Sequence, residues 1–215
     1  MSNKTKIEWS DASWNPVTGC TKVSEGCHHC YAATFAERRR GTPGHYFENG
    51  FDITLRPDKL DQPLKWTKPR KIFVNSMSDL FHDAVSDEFI DKVFAVMALA
   101  SQHTFQILTK RPERMKRYVT ELEQRSRAST QRFQAGAYSI YRIAESRDSN
   151  FRDGKFAGVL NQAFIEKEHV IDQIGWPLPN VWLGTSVENQ KAADERIPSL
   201  LQTPAAIRFL SCEPL

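Results

Sequence analysis

Three of the four cysteines, Cys20, Cys27 and Cys30, sit within the short stretch GCTKVSEGCHHCYA. A thiolate is a soft metal ligand, so the spacing C-x(6)-C-x(2)-C reads first as a metal site. On spacing alone two metals are open. Structural zinc takes four ligands in a closed tetrahedron, and His28, His29, His45 or Cys212 would have to complete the set. A cubane iron–sulfur cluster held by three thiolates leaves one iron free to bind a substrate or cofactor. Unmetallated thiols are the third reading. A disulfide framework does not suit a chain of this size with its cysteines in one segment, and a reducing cytosol disfavours it.

The elements that must position these thiols follow from hydrophobic periodicity. YAATFAERRRG after Cys30 reads as a helix ending near Gly41, which puts the third cysteine at a helix N-terminus, where the dipole favours thiolate. Further on, apolar runs give way to polar tips and then to helical patterns. KIFVNSMSDLF (71–81) predicts a strand through Ile72, Phe73 and Val74, followed by a helix capped by Ser86 with Asp87 and Glu88 in its first turn. TFQILTKRP (104–112) predicts a strand from Phe105 to Leu108, and Pro112 opens the next helix. NVWLGTSVEN (180–189) predicts a third strand, with Asn189 capping a helix that Pro198 interrupts after about Arg196. AAIRFLSCEPL (205–215) predicts another.

Repeated βα units imply an α/β fold with a parallel sheet or barrel, whose active residues gather at the carboxyl ends of the strands. Asn75, Ser76, Asp79, Lys110, Arg111, Ser186, Glu188, Ser211 and Glu213 are the tips expected to face one site. Such a mouth above βα units suits a catalytic cluster better than a zinc ribbon, which is more often a small β module. Residues 122–175 break the rhythm and read as a helical insertion or lid within a single domain spanning 1–215. The sheet stops at a strand tip near Leu215, so the architecture is expected to be incomplete there.

The chain has 215 residues, enough for one large core. Its hydrophobic fraction of 40% and charged fraction of 26% are those of a globular protein. No apolar run approaches the roughly 18 residues of a membrane span, and the polar N-terminus lacks the apolar core of a signal peptide. A cytoplasmic protein with no membrane partner is expected. The net charge of +3 permits a nucleic acid or other anion as partner without requiring one.

IEWSDASWNPVTGCTKVSEGCHHCYA, FVNSMSDLFHD, LTKRPERM, VWLGTSVENQ and IRFLSCEPL together resemble the phage- and prophage-associated radical-SAM-like proteins of unassigned function, relatives of the radical S-adenosylmethionine superfamily. These blocks cover most of the chain outside the insertion. The usual superfamily spacing is C-x(3)-C-x(2)-C, and the first gap here is longer. The resemblance implies a partial (β/α) barrel and a [4Fe–4S] cluster on Cys20, Cys27 and Cys30. The open iron would chelate S-adenosylmethionine, and one electron from an external reductant would yield a 5′-deoxyadenosyl radical for hydrogen abstraction. Relatives acting on DNA, with the basic tips Lys110 and Arg111, make a nucleic acid or nucleotide the preferred substrate class. A zinc-stabilised nucleic-acid-binding module is the rival, and a degenerate barrel keeping its cluster for structure is a third reading.

Within that frame, Ser76 and Asp79 are candidates for the cofactor's amino group or a substrate hydroxyl, against a plain capped loop. Lys110 and Arg111 would bind a carboxylate or phosphate. Ser186, Glu188 and Asn189 would hydrogen-bond ribose hydroxyls, unless Asn189 only caps its helix. Cys212 is read as a buried free cysteine ahead of a radical relay, a substrate thiol or a fourth ligand. His28 and His29 are expected to bond nearby or face solvent, Trp9 and Trp14 to pack in the core, and Arg38, Arg39 and Arg40 to form a solvated helix end.

Overall fold

The computed structural model describes residues 7–128, 158–160, 162–166 and 175–213. In chain order the elements are β1 (Ala12–Trp14), β2 (Val17–Thr18), α1 (Tyr31–Glu37), β3 (Thr54–Leu55), β4 (Lys71–Val74), α2 (Asp87–Leu99), β5 (Thr104–Thr109), α3 (Pro112–Ala128), β6 (Val181–Val187), α4 (Gln190–Gln202) and β7 (Ile207–Cys212). Each predicted apolar run forms its strand. Five strands make one sheet in the order β1-β4-β5-β6-β7, every pairing parallel, while β2 and β3 pair antiparallel beside it. The fold is mixed α/β, and along the main sheet every strand lies beside its predecessor.

Parallel strands need crossover helices, and right-handed crossovers between consecutive neighbours leave those helices on one face. That face is the main core. Ala12, Trp14, Ile72, Val74, Phe105, Ile107, Val181 and Leu183 alternate along their strands and pack against Phe89, Val93 and Phe94 of α2 and Met115, Tyr118 and Val119 of α3. Trp14 is fully buried and donates its indole N–H to the Lys59 carbonyl at 2.7 Å. On the opposite face Trp9 lies 4.7 Å from Phe73 and 6.5 Å from Phe209, ring centre to ring centre. Trp14 thus packs in the core as expected, whereas Trp9 is half-buried outside it, against these two rings.

The helix signals act as the physical chemistry requires. Ser86 accepts from the Phe89 N–H at 3.4 Å and Asn189 from the Ala192 N–H at 2.8 Å, so each caps its helix. Three expectations are corrected. Helix α4 runs through Pro198 to Gln202, because its docking outweighs one lost backbone bond: Leu200 is buried and Ser199 Oγ donates to Glu113 at 3.3 Å. Helix α1 ends at Glu37, short of Gly41, and turns follow. Helix α3 continues to Ala128, so 122–128 belong to it rather than to an insertion: Leu122 and Ser126 are buried and Arg125 pairs with Asp91 at 3.1 Å. Residues 158–160 and 162–166 are helical, and the rest of the proposed insertion up to residue 174 lies outside the described residues. Among the described residues no helix is long and apolar enough to cross a membrane.

Candidate functional site

The cysteine loop leaves the sheet after β2 at Gly19, whose φ of 89° is left-handed. A Cβ there would fall 2.6 Å from the Phe51 carbonyl oxygen, so only glycine lets the loop pass. The Gly19 N–H donates to Met77 O at 2.9 Å and the Cys20 N–H to Phe51 O at 3.2 Å, which fixes where the first thiol starts. Cys27 ends a single 3-10 turn, and Cys30 occupies the N-cap position of α1. Cys20, Cys27 and Cys30 border one open cavity of about 470 Å³, with Thr21, Lys22, His28, Thr34, Glu37 and Asp52. Among the described residues, no group of three or more His, Cys, Asp or Glu side chains stands close enough together to hold a metal ion.

Three of the strand tips, Asp79, Arg111 and Glu188, hold this loop rather than line the cavity. Asp79, after β4, accepts from Thr109 Oγ1 at 2.8 and 2.9 Å, from the N–H groups of Phe81 and Lys110 at 3.0 and 3.1 Å, and from Arg111 Nη1 at 3.2 Å. Arg111 in turn donates to Cys20 Sγ at 3.5 Å and to the Thr21 carbonyl and hydroxyl at 3.1 and 3.0 Å. Glu188, after β6, is gripped by Arg196 at 2.7 and 3.1 Å and receives the Ser24 hydroxyl. A Cβ on Gly26 would fall 2.9 Å from the Glu188 carboxyl carbon. Ser76 exchanges hydrogen bonds with the Asn15 amide at 3.2 and 3.3 Å, and its carbonyl accepts the Tyr31 hydroxyl at 2.6 Å. Ser186 is buried, and its carbonyl accepts from Arg196 at 2.7 Å.

Electrostatics separate the thiols. Burial pushes the Cys20 thiol up, and the Asp79 charge adds to that, against the opposing effect of Arg111. Burial also acts to raise Cys27, but backbone bonds from Val23 and Ser24 and the Lys110 charge outweigh it, so its thiol is lowered. Burial would raise Glu188 as well, yet the Arg196 and Ser24 bonds prevail and hold its carboxyl at about 2. The Tyr31 hydroxyl is pushed up by burial first, then by Cys30 and Glu213, which brings the end of β7 into the same neighbourhood.

Other candidates fall outside this arrangement. Cys212 is exposed rather than buried, because among the described residues β7 is the sheet's edge strand and its residues are exposed or half-covered. His45 Nδ1 accepts the Phe47 N–H at 3.0 Å, within its own loop, while His29 is exposed. Arg40 forks onto Glu37 and Asp52, so it braces the loop wall; Arg38 and Arg39 are exposed. Sequence reasoning missed Thr109, Thr21, His82 and Arg196. Only Thr109 carried a local signal, as the polar end of a strand next to Lys110 and Arg111. Asn75 was seen only as a tip. Its φ is 61°, it is buried, and neither polar atom of its side chain has a partner among the described residues.

No curated protein and no solved structure matches the chain. A family model does, over residues 4–215, and the chain belongs to the family described as Protein of unknown function (DUF5131).

Proposed function

We propose that the protein is a radical S-adenosylmethionine enzyme, with a [4Fe–4S] cluster on Cys20, Cys27 and Cys30 at the mouth of an incomplete (β/α) barrel. The observation that carries this reading is that three thiols of one loop border a single open cavity, beside the end of β5, to which Arg111 ties Cys20. The donors suit such a group: they are soft thiolates, three in number, with room beside them for a second small molecule.

When bound, the cluster and S-adenosylmethionine supply a 5′-deoxyadenosyl radical, using one electron from an external reductant. The chain's own residues prepare the place. The Lys110 charge favours thiolate at Cys27. Lys22 and His28 line the cavity and offer hydrogen-bond donors to an anionic ligand, while the Thr34 hydroxyl is donated to the Cys30 carbonyl at 3.1 Å. Asp79, Arg111 and Glu188 act behind the loop and keep its ligands apart and fixed. A nucleic acid or nucleotide remains the proposed substrate class, supported by Lys22 at the cavity and the positive net charge. Kinship with the phage-associated radical-SAM-like proteins is part of the same proposal.

The test is cleavage of S-adenosylmethionine by the dithionite-reduced protein under anaerobic conditions. 5′-Deoxyadenosine should accumulate above the level of a Cys27→Ala control. Equal amounts in the two would contradict an enzymatic role and leave a structural metal.

A further inference from the structure

Arg111 looks in the sequence like a fork for a substrate carboxylate or phosphate, but its fork is already committed inside the protein. Nη1 donates to Asp79 Oδ2 at 3.2 Å and to Cys20 Sγ at 3.5 Å, and Nη2 donates to the carbonyl and hydroxyl oxygens of Thr21 at 3.1 and 3.0 Å. Those contacts occupy four of the guanidinium's five N–H groups. The side chain is 10% exposed, so an outside anion has little of it to meet.

The group that aims Arg111 is itself fixed. Asp79 accepts from the Thr109 hydroxyl and from two backbone N–H groups, and its side chain is 7% exposed. Thr21 is fixed from the other side. His82 Nδ1 accepts the Ala84 N–H at 3.1 Å, so Nε2 carries the proton and donates to Thr21 Oγ1 at 2.8 Å. Burial and the Arg111 charge both lower the His82 pKa, in keeping with that neutral ring. Thr109, Asp79, Arg111 and Cys20 thus form one relay of hydrogen bonds from the end of β5 to a thiol.

We propose that Arg111, aimed by Asp79, is a positioning residue that donates a charge-assisted hydrogen bond to the Cys20 sulfur and raises the reduction potential of a cluster bound there. This rests on the function proposed above. A donor and a positive charge beside a cluster thiolate favour the reduced state, which carries one more negative charge. Among the described residues, Cys20 is the one member of the thiol trio that receives a guanidinium hydrogen bond.

Wild type, Arg111→Gln and Arg111→Lys are reconstituted anaerobically, iron and sulfide are counted, and the midpoint potential is read from the paramagnetic reduced state during a redox titration. Arg111→Gln is expected to keep its iron and move to a more negative potential. The shift should be about tenfold less reduced cluster at a fixed poise, about 59 mV for one electron. Arg111→Lys keeps the charge but not the fork, and should fall between the two. A wild type without iron and sulfide refutes the function itself. Loaded variants at the wild-type potential refute the role of Arg111 alone, and a Lys variant equal to wild type refutes the hydrogen bond. If both variants lose iron while their circular dichroism stays that of wild type, Arg111 is needed for loading rather than for setting the potential, and the proposal is overturned.

Discussion

The cysteine loop is held at two places, and the two clamps differ in what they touch. At its start, the Asp79–Arg111 pair reaches a sulfur and the residue beside it. In its middle, the Glu188–Arg196 pair reaches the Ser24 hydroxyl and crowds Gly26, between Cys20 and Cys27. The first ties the ends of β4 and β5 to a reactive atom. The second ties β6 and α4 to the Ser24 side chain. Both pairs are almost wholly buried, so neither behaves like a surface ion pair, whose contribution is small. A clamp on the thiol can tune chemistry, whereas a clamp on Ser24 can only decide where the cysteines stand. Breaking the second should therefore show first as lost stability.

The largest effect is expected for Glu188→Gln, which leaves the Arg196 charge buried without its counter-charge. Stability should fall by about 3–5 kcal/mol, read by denaturant unfolding; a change under about 0.5 kcal/mol would show that the second clamp holds nothing. Gly19→Ala should follow. It adds a Cβ against the Phe51 and Asp52 carbonyls at a left-handed φ, costing about 1–3 kcal/mol for overpacking and about 1–2 kcal/mol for the conformation. Unaltered unfolding in that variant would mean that the loop passes Asp52 by another route.

Acid probes the second clamp without mutation. Glu188 has an ordinary value of 4.5 and a folded value of about 2. A carboxyl depressed on folding stabilises the protein fully above its unfolded pKa and loses that contribution as pH falls through the folded one. Wild type should thus lose about 2–3 kcal/mol between pH values near 4.5 and 2, and Glu188→Gln should lack that component of the slope. Parallel pH profiles in the two proteins would contradict the pairing. The smallest effect belongs to Cys212→Ser: an exposed position on the edge strand should change stability by less than about 0.5 kcal/mol and leave metal content as it was.

What the sequence discloses here is local, and what it hides is spatial. Ser86, Asn189 and Pro112 announce their helices because a cap or a first-turn proline acts within one turn. Ile72–Val74 and Phe105–Leu108 announce strands because apolar runs that end in polar residues have few other places to go. The clamps have no such signature. Ser24 meets Glu188 across 164 residues, and Arg111 meets Cys20 across 91, through a strand register that no short window contains. Residue type alone therefore casts Asp79, Arg111 and Glu188 as ligand-binding tips, when their side chains are occupied with one another and with the loop. Pro198 misleads for the same reason, since a local rule yields to the docking of α4 on α3. Cys212 sits in an apolar run, but burial depends on a neighbour across the edge of the sheet, and among the described residues β7 has a paired strand on one side only.

The central claim is that the three thiols form an iron–sulfur site, and metal and acid-labile sulfide analysis of anaerobically purified protein tests it most directly. The account predicts a brown protein with roughly four irons and matching sulfide per chain, lost in Cys20→Ala, Cys27→Ala and Cys30→Ala and kept in Cys212→Ser. A colourless protein carrying a single zinc would contradict it.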